Sequence, residues 1–310
     1  MNNLNVEGDV IDLKEFLKVI WSRKLFIFTF TGFFSFIALL FSLTLPNIYQ
    51  SNALLSPVES QGGMSSSMRS YSGLASLAGI NLPAQSGTST VVKATKKISS
   101  LSFFSEYIMP KIFLPDLMAL DSWDSQSNAI TYDLNKYDPI TNNWIRSVSY
   151  PQSIVPSTQE SYEVFVKKHL NISQDEETGF ISISIKHQSP FVAQEWTELI
   201  VSQVNNFFRE KDRKESERAL NYLNSQIAIT GFSEIKQVIA DLVKQQTEIL
   251  TLIEVSDFYV FEYIDPPVVM ENTNEPNRKS MLLIGAFIGL ILGLGITLFQ
   301  QYFYSKTNSK

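Results

Sequence analysis

Two stretches of this chain are apolar without a break, and the residues between them alternate in short, readable patterns. Residues 25–45 (LFIFTFTGFFSFIALLFSLTL) carry no charge. As a helix rising about 1.5 Å per residue they would reach roughly 30 Å, the hydrocarbon thickness of a bilayer. A second uncharged run, MLLIGAFIGLILGLGITLF, begins at Met281 and ends at Phe299. Outside closed barrels, only helices satisfy their own backbone groups in lipid. The pattern therefore predicts transmembrane helices at 25–45 and 281–303, with 1–24 and 304–310 as short flanking segments. Residues 46–280 are polar and hold no third run of spanning length, so they are read as a domain held between the two spans.

Shorter periods place the other elements. In residues 9–21, Val10, Leu13, Leu17 and Ile20 share a helical face opposite Asp12, Lys14, Glu15 and Lys18. That predicts an amphipathic helix, with Asp9 as N-cap, that either lies on the inner leaflet or packs as a cytoplasmic helix. Residues 47–55 alternate as a strand. Residues 59–90 are rich in Ser and Gly around an apolar SGLASLAGI, read as a docked segment. Residues 91–107 suggest a helix directing Val92, Ile98, Leu101 and Phe104 to a core. The proline-bearing stretch 110–160 suggests loops and short helices, followed by a helix near 158–169 and a turn at Asp175–Gly179. FISISIK, residues 180–186, is the clearest strand.

Ser189-Pro190 opens a long helix, because proline fits the first helical position. Its charged run, REKDRKESER at 209–218, pairs opposite signs at i, i+4 and is expected to be solvated, as in a rod projecting into water. The helix ends near Gly231, expected as its C-cap, and Ser233 is expected to cap a second helix over 233–256 that returns antiparallel. A strand at 258–264 and a connector through Pro266, Pro267 and Pro276 lead into the second span. The predicted fold class is an α+β membrane protein. A base (46–187 and 258–275) sits near the membrane and carries a long helical arm (190–256).

Basic residues set the expected orientation. Lys14, Lys18, Arg23 and Lys24 precede the first span, while 46–68 contains no Lys or Arg. By the positive-inside rule both termini are cytoplasmic and the domain is exported. Arg278 and Lys279 on the outer side of the second span are outweighed, because a long loop translocates largely regardless of such charges. The first span lacks an A-x-A site and is long for the apolar region of a cleaved signal peptide.

Composition narrows the chemistry. Residues 47–278 hold 18 Lys and Arg against 27 Asp and Glu, a net of −9, which speaks against a nucleic-acid partner. The chain has no cysteine, so disulfides and thiolate chemistry are excluded. His169 and His187 have no carboxylate at metal-ligand spacing, and neither a P-loop nor G-x-S-x-G occurs. Asp121, Asp124, Asp133 and Asp138 fit no EF-hand, and the sequon Asn171-Ile-Ser173 is read as coincidental. No catalytic, cofactor or metal site is expected. Gly285, Gly289, Gly293 and Gly295 suggest close helix packing, with either the first span or a neighbouring copy as partner.

The order of these segments resembles the Wzz-type chain-length determinants, or polysaccharide co-polymerases. The resemblance is carried by IDLKEFLKVIW before the first span, LPNIYQSNALLSPV after it, and SGLASLAGI. It continues through PSTQESYEVFVKKHLNIS, GFISISIKHQSPFVAQEW, Glu217–Asn224 and YVFEYIDPPVVMENTNEPNRK. Pro266, Pro267 and Pro276 give the family's proline-rich signature in a looser form. The resemblance implies a bacterial inner-membrane homo-oligomeric ring, its main domain periplasmic. Such a ring would act without enzymatic activity on a Wzy-type polymerase and its lipid-linked glycan, setting the length of an O-antigen-like lipopolysaccharide. The short tail implies the small, kinase-free class. Two rivals remain at this point: a periplasmic adaptor for capsule or exopolysaccharide export, and a two-span receptor, for which neither end offers an output domain.

Overall fold

The computed structural model describes residues 20–58 and 90–308. The chain forms two compact units, one from the chain up to Ile48 and from Thr273 onward, the other from Tyr49 to Asn272. The helix expected at 9–21 and the SGLASLAGI segment lie outside the described residues, apart from Ile20 and Trp21.

The first unit is a pair of helices, α1 (Lys24–Thr44) and α8 (Arg278–Asn308). Both are long and apolar enough to cross a membrane, over Lys24–Thr44 and Arg278–Gln300. The second unit mixes helices with strands. β1 (Tyr49–Pro57), β6 (Leu170–Gln174), β7 (Ile181–His187) and β8 (Phe261–Asp265) form an antiparallel sheet in the order β6-β7-β1-β8. The period-2 pattern of FISISIK works as predicted, since Ile181, Ile183 and Ile185 are all fully buried. On β1 the same alternation buries Ser51, Ala53 and Leu55.

The long helix α6 (Pro190–Ile229) lies across this sheet through its first five turns. Val192, Trp196, Ile200, Val204 and Phe208, four residues apart, form the buried stripe. Each such side chain withdrawn from water contributes roughly 1.5–3 kcal/mol. The helix starts at Pro190 as expected, and the Ser189 hydroxyl caps it by accepting from the Val192 amide. A second layer comes from α2 (Thr90–Ile98) and α3 (Leu101–Phe103), which runs on through a π-helical turn at Phe104–Ile108. It buries Ala94, Ile98, Phe103, Phe104 and Ile108, whereas Val92 and Leu101, expected inside, are exposed. The predicted single helix breaks at Ser99-Ser100, where the Ser100 hydroxyl starts a new helix by accepting from Phe103 N–H. Next come the short α4 (Leu114–Met118) and, further on, α5 (Thr158–Val164).

The stretch expected as loops contains two hairpins, β2–β3 (Leu120–Asp124, Ala129–Tyr132) and β4–β5 (Tyr137–Asp138, Asn143–Trp144). Their turns share one design. Asp124 accepts from the Gln126 and Ser127 amides, and Asp138 from the Ile140 amide and Thr141 hydroxyl. Each turn closes on an asparagine in the left-handed region, Asn128 (φ 50°) and Asn142 (φ 54°). The preceding aromatic residue donates to that asparagine's side-chain oxygen: Trp123 Nε1 to Asn128 and Tyr137 OH to Asn142, both at 2.9 Å. Of the acidic residues considered as a site, Asp124, Asp133 and Asp138 are thus turn builders, and Asp121 lies within β2. Hydrogen bonds from Ser127, Asn135 and Thr141 hold Asp124, Asp133 and Asp138 below the ordinary carboxylate range. β6, also unanticipated, pairs along β7.

The arm is a hairpin of α6 and α7 (Ser233–Val255). Its ends differ from expectation in detail. α6 is capped by Thr230 in an extended conformation, and Thr230 also returns its hydroxyl to Gln226 O. Gly231, expected as the C-cap, follows Thr230 without a positive φ and is not the cap. Phe232, not Ser233, is the N-cap of α7, and Ser233 turns its hydroxyl to Glu234 instead.

Candidate functional site

The sequence offered four places to look: the glycines of the second span, the basic residues before the first, the prolines of the connector, and the histidines.

Within one chain, three of the glycines meet the first span. A Cβ on Gly285 would fall 2.5 Å from Ala38 Cβ and 3.0 Å from Phe34 O. On Gly289 it would meet Thr31 Cα and Phe34 Cβ, each at 2.9 Å. Such distances require that no side chain be present, so α8 packs its backbone directly on α1, the arrangement that small residues four apart permit. Gly293 is looser, with Ile27 Cα and Phe30 Cβ at 3.6 Å, and Gly295 faces open space. Of the four predicted packing residues, two are sterically obligatory, one is in ordinary contact and one is free. Arg23 donates to the Gln300 side chain at 2.7 Å, closing one end of the pair. Lys24 places its ammonium 5.0 Å from the Trp21 ring centre. Arg278 donates to Asn47 at the other end, where Ile48 and Glu275 form a backbone bridge.

The connector prolines differ among themselves. Pro267 is buried, and its carbonyl accepts from Gln194 of α6. The next carbonyl, Val268 O, accepts from Ser51 of β1 at 2.9 Å. Pro266 is exposed, and Pro276 follows a cis peptide bond.

The histidines, which were distant in sequence, meet in the core. His169 and His187 lie with ring centres 5.8 Å apart, and both flank Trp196. His169 donates from Nδ1 to Lys186 O at 2.7 Å. His187 accepts at Nδ1 from the Ser189 amide, so its proton is on Nε2, directed at Asp116 O. Burial first of all pushes both imidazoles down to about 4. Burial also raises the Asp116 carboxyl, although Tyr132 OH donates to it at 2.7 Å. This is a satisfied core cluster, and among the described residues no group of His, Cys, Asp or Glu is arranged to hold a metal ion.

The root of the arm carries what sequence reasoning missed. The run 209–218 is not solvated all round. One face of α6, stepping through Asn205, Arg209, Asp212 and Arg213, turns toward the chain that leaves α7. Asn205 accepts from the Val260 and Phe261 amides and donates to Phe261 O. Arg209 Nη2 donates to Ser256 O at 2.7 Å and Asp257 O at 2.8 Å. Asp212 accepts from Tyr259 OH at 2.7 Å; burial first, and this bond after it, raise that phenol above its ordinary value. Arg213 pairs with Glu254 at 2.8 Å. The spacing i, i+4, i+7, i+8 was the available signal, obscured because a polar face at that period resembles a solvated one.

Two helices long and apolar enough to cross a membrane, and between them in sequence a mixed α/β unit with a helical hairpin, thus define the class as α+β. Residues 9–109 match the Wzz family, described as chain length determinant protein. The resemblance recognised in the sequence is therefore found independently over the first third of the chain. A full-length bacterial polysaccharide co-polymerase aligns with 95% of this chain and 99% of its own, at 13% identity and a TM-score of 0.39. A fragment of WzzB, polysaccharide co-polymerase from Salmonella Typhimurium, aligns with 74% of this chain and 100% of its own, at 15% identity and a TM-score of 0.28. No curated protein matches the sequence.

Proposed function

We propose that this protein is a non-enzymatic regulator of surface polysaccharide chain length, of the O-antigen type, acting with a Wzy-type polymerase. It sits in the bacterial inner membrane with both termini cytoplasmic and its main domain periplasmic, and works as a homo-oligomeric ring. The observation that carries this reading is the Wzz match over residues 9–109, on a chain whose two apolar helices bracket the intervening domain. The lack of Lys and Arg over 46–68, against four before the first span, supports the orientation. The hairpin of α6 and α7 gives the ring a feature that reaches away from the base.

Deletion of the gene, followed by electrophoresis of the surface glycan, tests this. Loss of a preferred length, restored by the intact gene, is the expected result. An unchanged length distribution refutes it, and loss of all surface glycan favours the export adaptor. Mass measurement of the detergent-extracted complex tests the ring, which a monomer would rule out.

A further inference from the structure

Beyond Phe208, α6 leaves the sheet and its apolar support. In the arm itself the buried positions are Ser216, Ile239 and Ile253. From Arg209 to Ile229 the helix still rises roughly 30 Å. A lever of that length amplifies what happens at its root: a rotation of about 10° there displaces the tip by about 5 Å. The attachment at that root is mainly polar. Asn205, Arg209, Asp212 and Arg213 each reach from α6 to the segment 254–261, and two of the four bind main-chain groups there. Arg209 lies at the C-terminal end of α7, where the helix dipole favours a cation.

These contacts hold direction better than they add stability. The Nε atoms of Arg209 and Arg213 are buried without an acceptor, which offsets part of what the charged bonds contribute. Glu254 is well exposed, so its pairing with Arg213 is worth little in stability. Apolar side chains at these positions would set the angle of the hairpin through packing shape alone. Directional bonds to backbone carbonyls from Asn205 and Arg209, one turn apart, add a second constraint on it.

On the reading that the protein sets glycan length, we infer that Arg209, Asp212 and Arg213 are positioning residues: by fixing the angle of the arm they set the preferred length. Full-length variants are expressed in the deletion strain, and the modal length of the surface glycan is read together with protein abundance in the membrane fraction. Arg209→Ala, Arg213→Gln and the surface change Glu254→Gln are expected to shift or broaden the mode at normal abundance. Arg213 also donates to Glu210 within α6, so the exchange Arg213→Glu with Glu254→Arg is made with Glu210→Gln and is expected to recover the mode. Lys244→Gln, which breaks an ion pair internal to α7, is expected to leave it in place. If Arg209→Ala fails to accumulate, Glu254→Gln and the exchange decide the matter. Wild-type distributions from Arg213→Gln and Glu254→Gln at normal abundance overturn the inference, as does an equal shift from Lys244→Gln. If the deletion strain itself keeps the wild-type distribution, it is the reading of function that has failed.

Discussion

Mild acid should loosen the base, and the two histidines set the scale. Both imidazoles fall from an ordinary value of 6.5 to about 4, mainly through burial. The unfolded rings take up protons as pH drops through 6.5, while the folded ones resist until about 4. A depressed pKa in the folded state means that stability is fully present above 6.5 and is lost as pH falls toward 4. Passing from pH 7 to pH 5 removes about 2 kcal/mol per ring, so roughly 3–4 kcal/mol for the pair. Lys168 lies beside His169, and His169 itself opposes charge on His187, so neither ring protonates to relieve the other. Asp116 works the opposite way: its raised carboxyl takes up a proton earlier in the folded state and returns part of the loss. Urea unfolding of the detergent-extracted full-length protein at several pH values, followed by tryptophan fluorescence to which Trp196 between the rings contributes, measures this. Asparagine can replace the donor that His169 gives Lys186 O and the acceptor that His187 gives the Ser189 amide. The double change His169→Asn with His187→Asn should therefore lower stability at pH 7 yet flatten its dependence between pH 7 and 5. The same pH dependence in wild type and double variant would refute the reasoning.

Gly289→Leu places a side chain where a Cβ already meets Thr31 Cα at 2.9 Å, and should destabilise the helix pair by about 1–3 kcal/mol. Gly295→Leu enters open space and should leave the thermal midpoint of the detergent-extracted protein unchanged. Arg146 forms a two-pronged pair with Glu160 and also donates to Ser153 O and Ile154 O, so Arg146→Ala should lower unfolding stability by about 2–3 kcal/mol. Asn142→Gly keeps the φ of 54° but removes the acceptor for Tyr137 OH and should cost about 1 kcal/mol, whereas Asn142→Val adds backbone strain and should cost at least about 1 kcal/mol more by the same urea titration.

The spans, the central strand β7 and the arm were legible because each is a long or strict pattern whose period alone identifies it. The hairpins at 120–144 were not, since β4 and β5 have two residues each and no period to detect. Their signal was chemical: an aromatic residue, Asp, two residues, Ser or Thr, then Asn, seen in WDSQSN and again in YDPITN. The arm's root escaped for a different reason. Alternating charge along 209–218 satisfies the pattern of a solvated helix, and only the return of residues 254–261 reveals which face is covered. The glycines announced close packing but not its partner, because α1 and a neighbouring copy are equally apolar. Chain contacts, not composition, decide that choice.

The obligatory contact between Gly289 and α1 also has a meaning in time. Thr31 and Phe34 are synthesised more than 250 residues before the glycine that packs on them. The logarithmic growth of loop entropy makes closing so long a loop affordable, but nothing can hasten it. Until the ribosome reaches α8, the face of α1 that meets Gly285 and Gly289 has no partner from its own chain. Only a chain carried through to α8 can complete the helix pair.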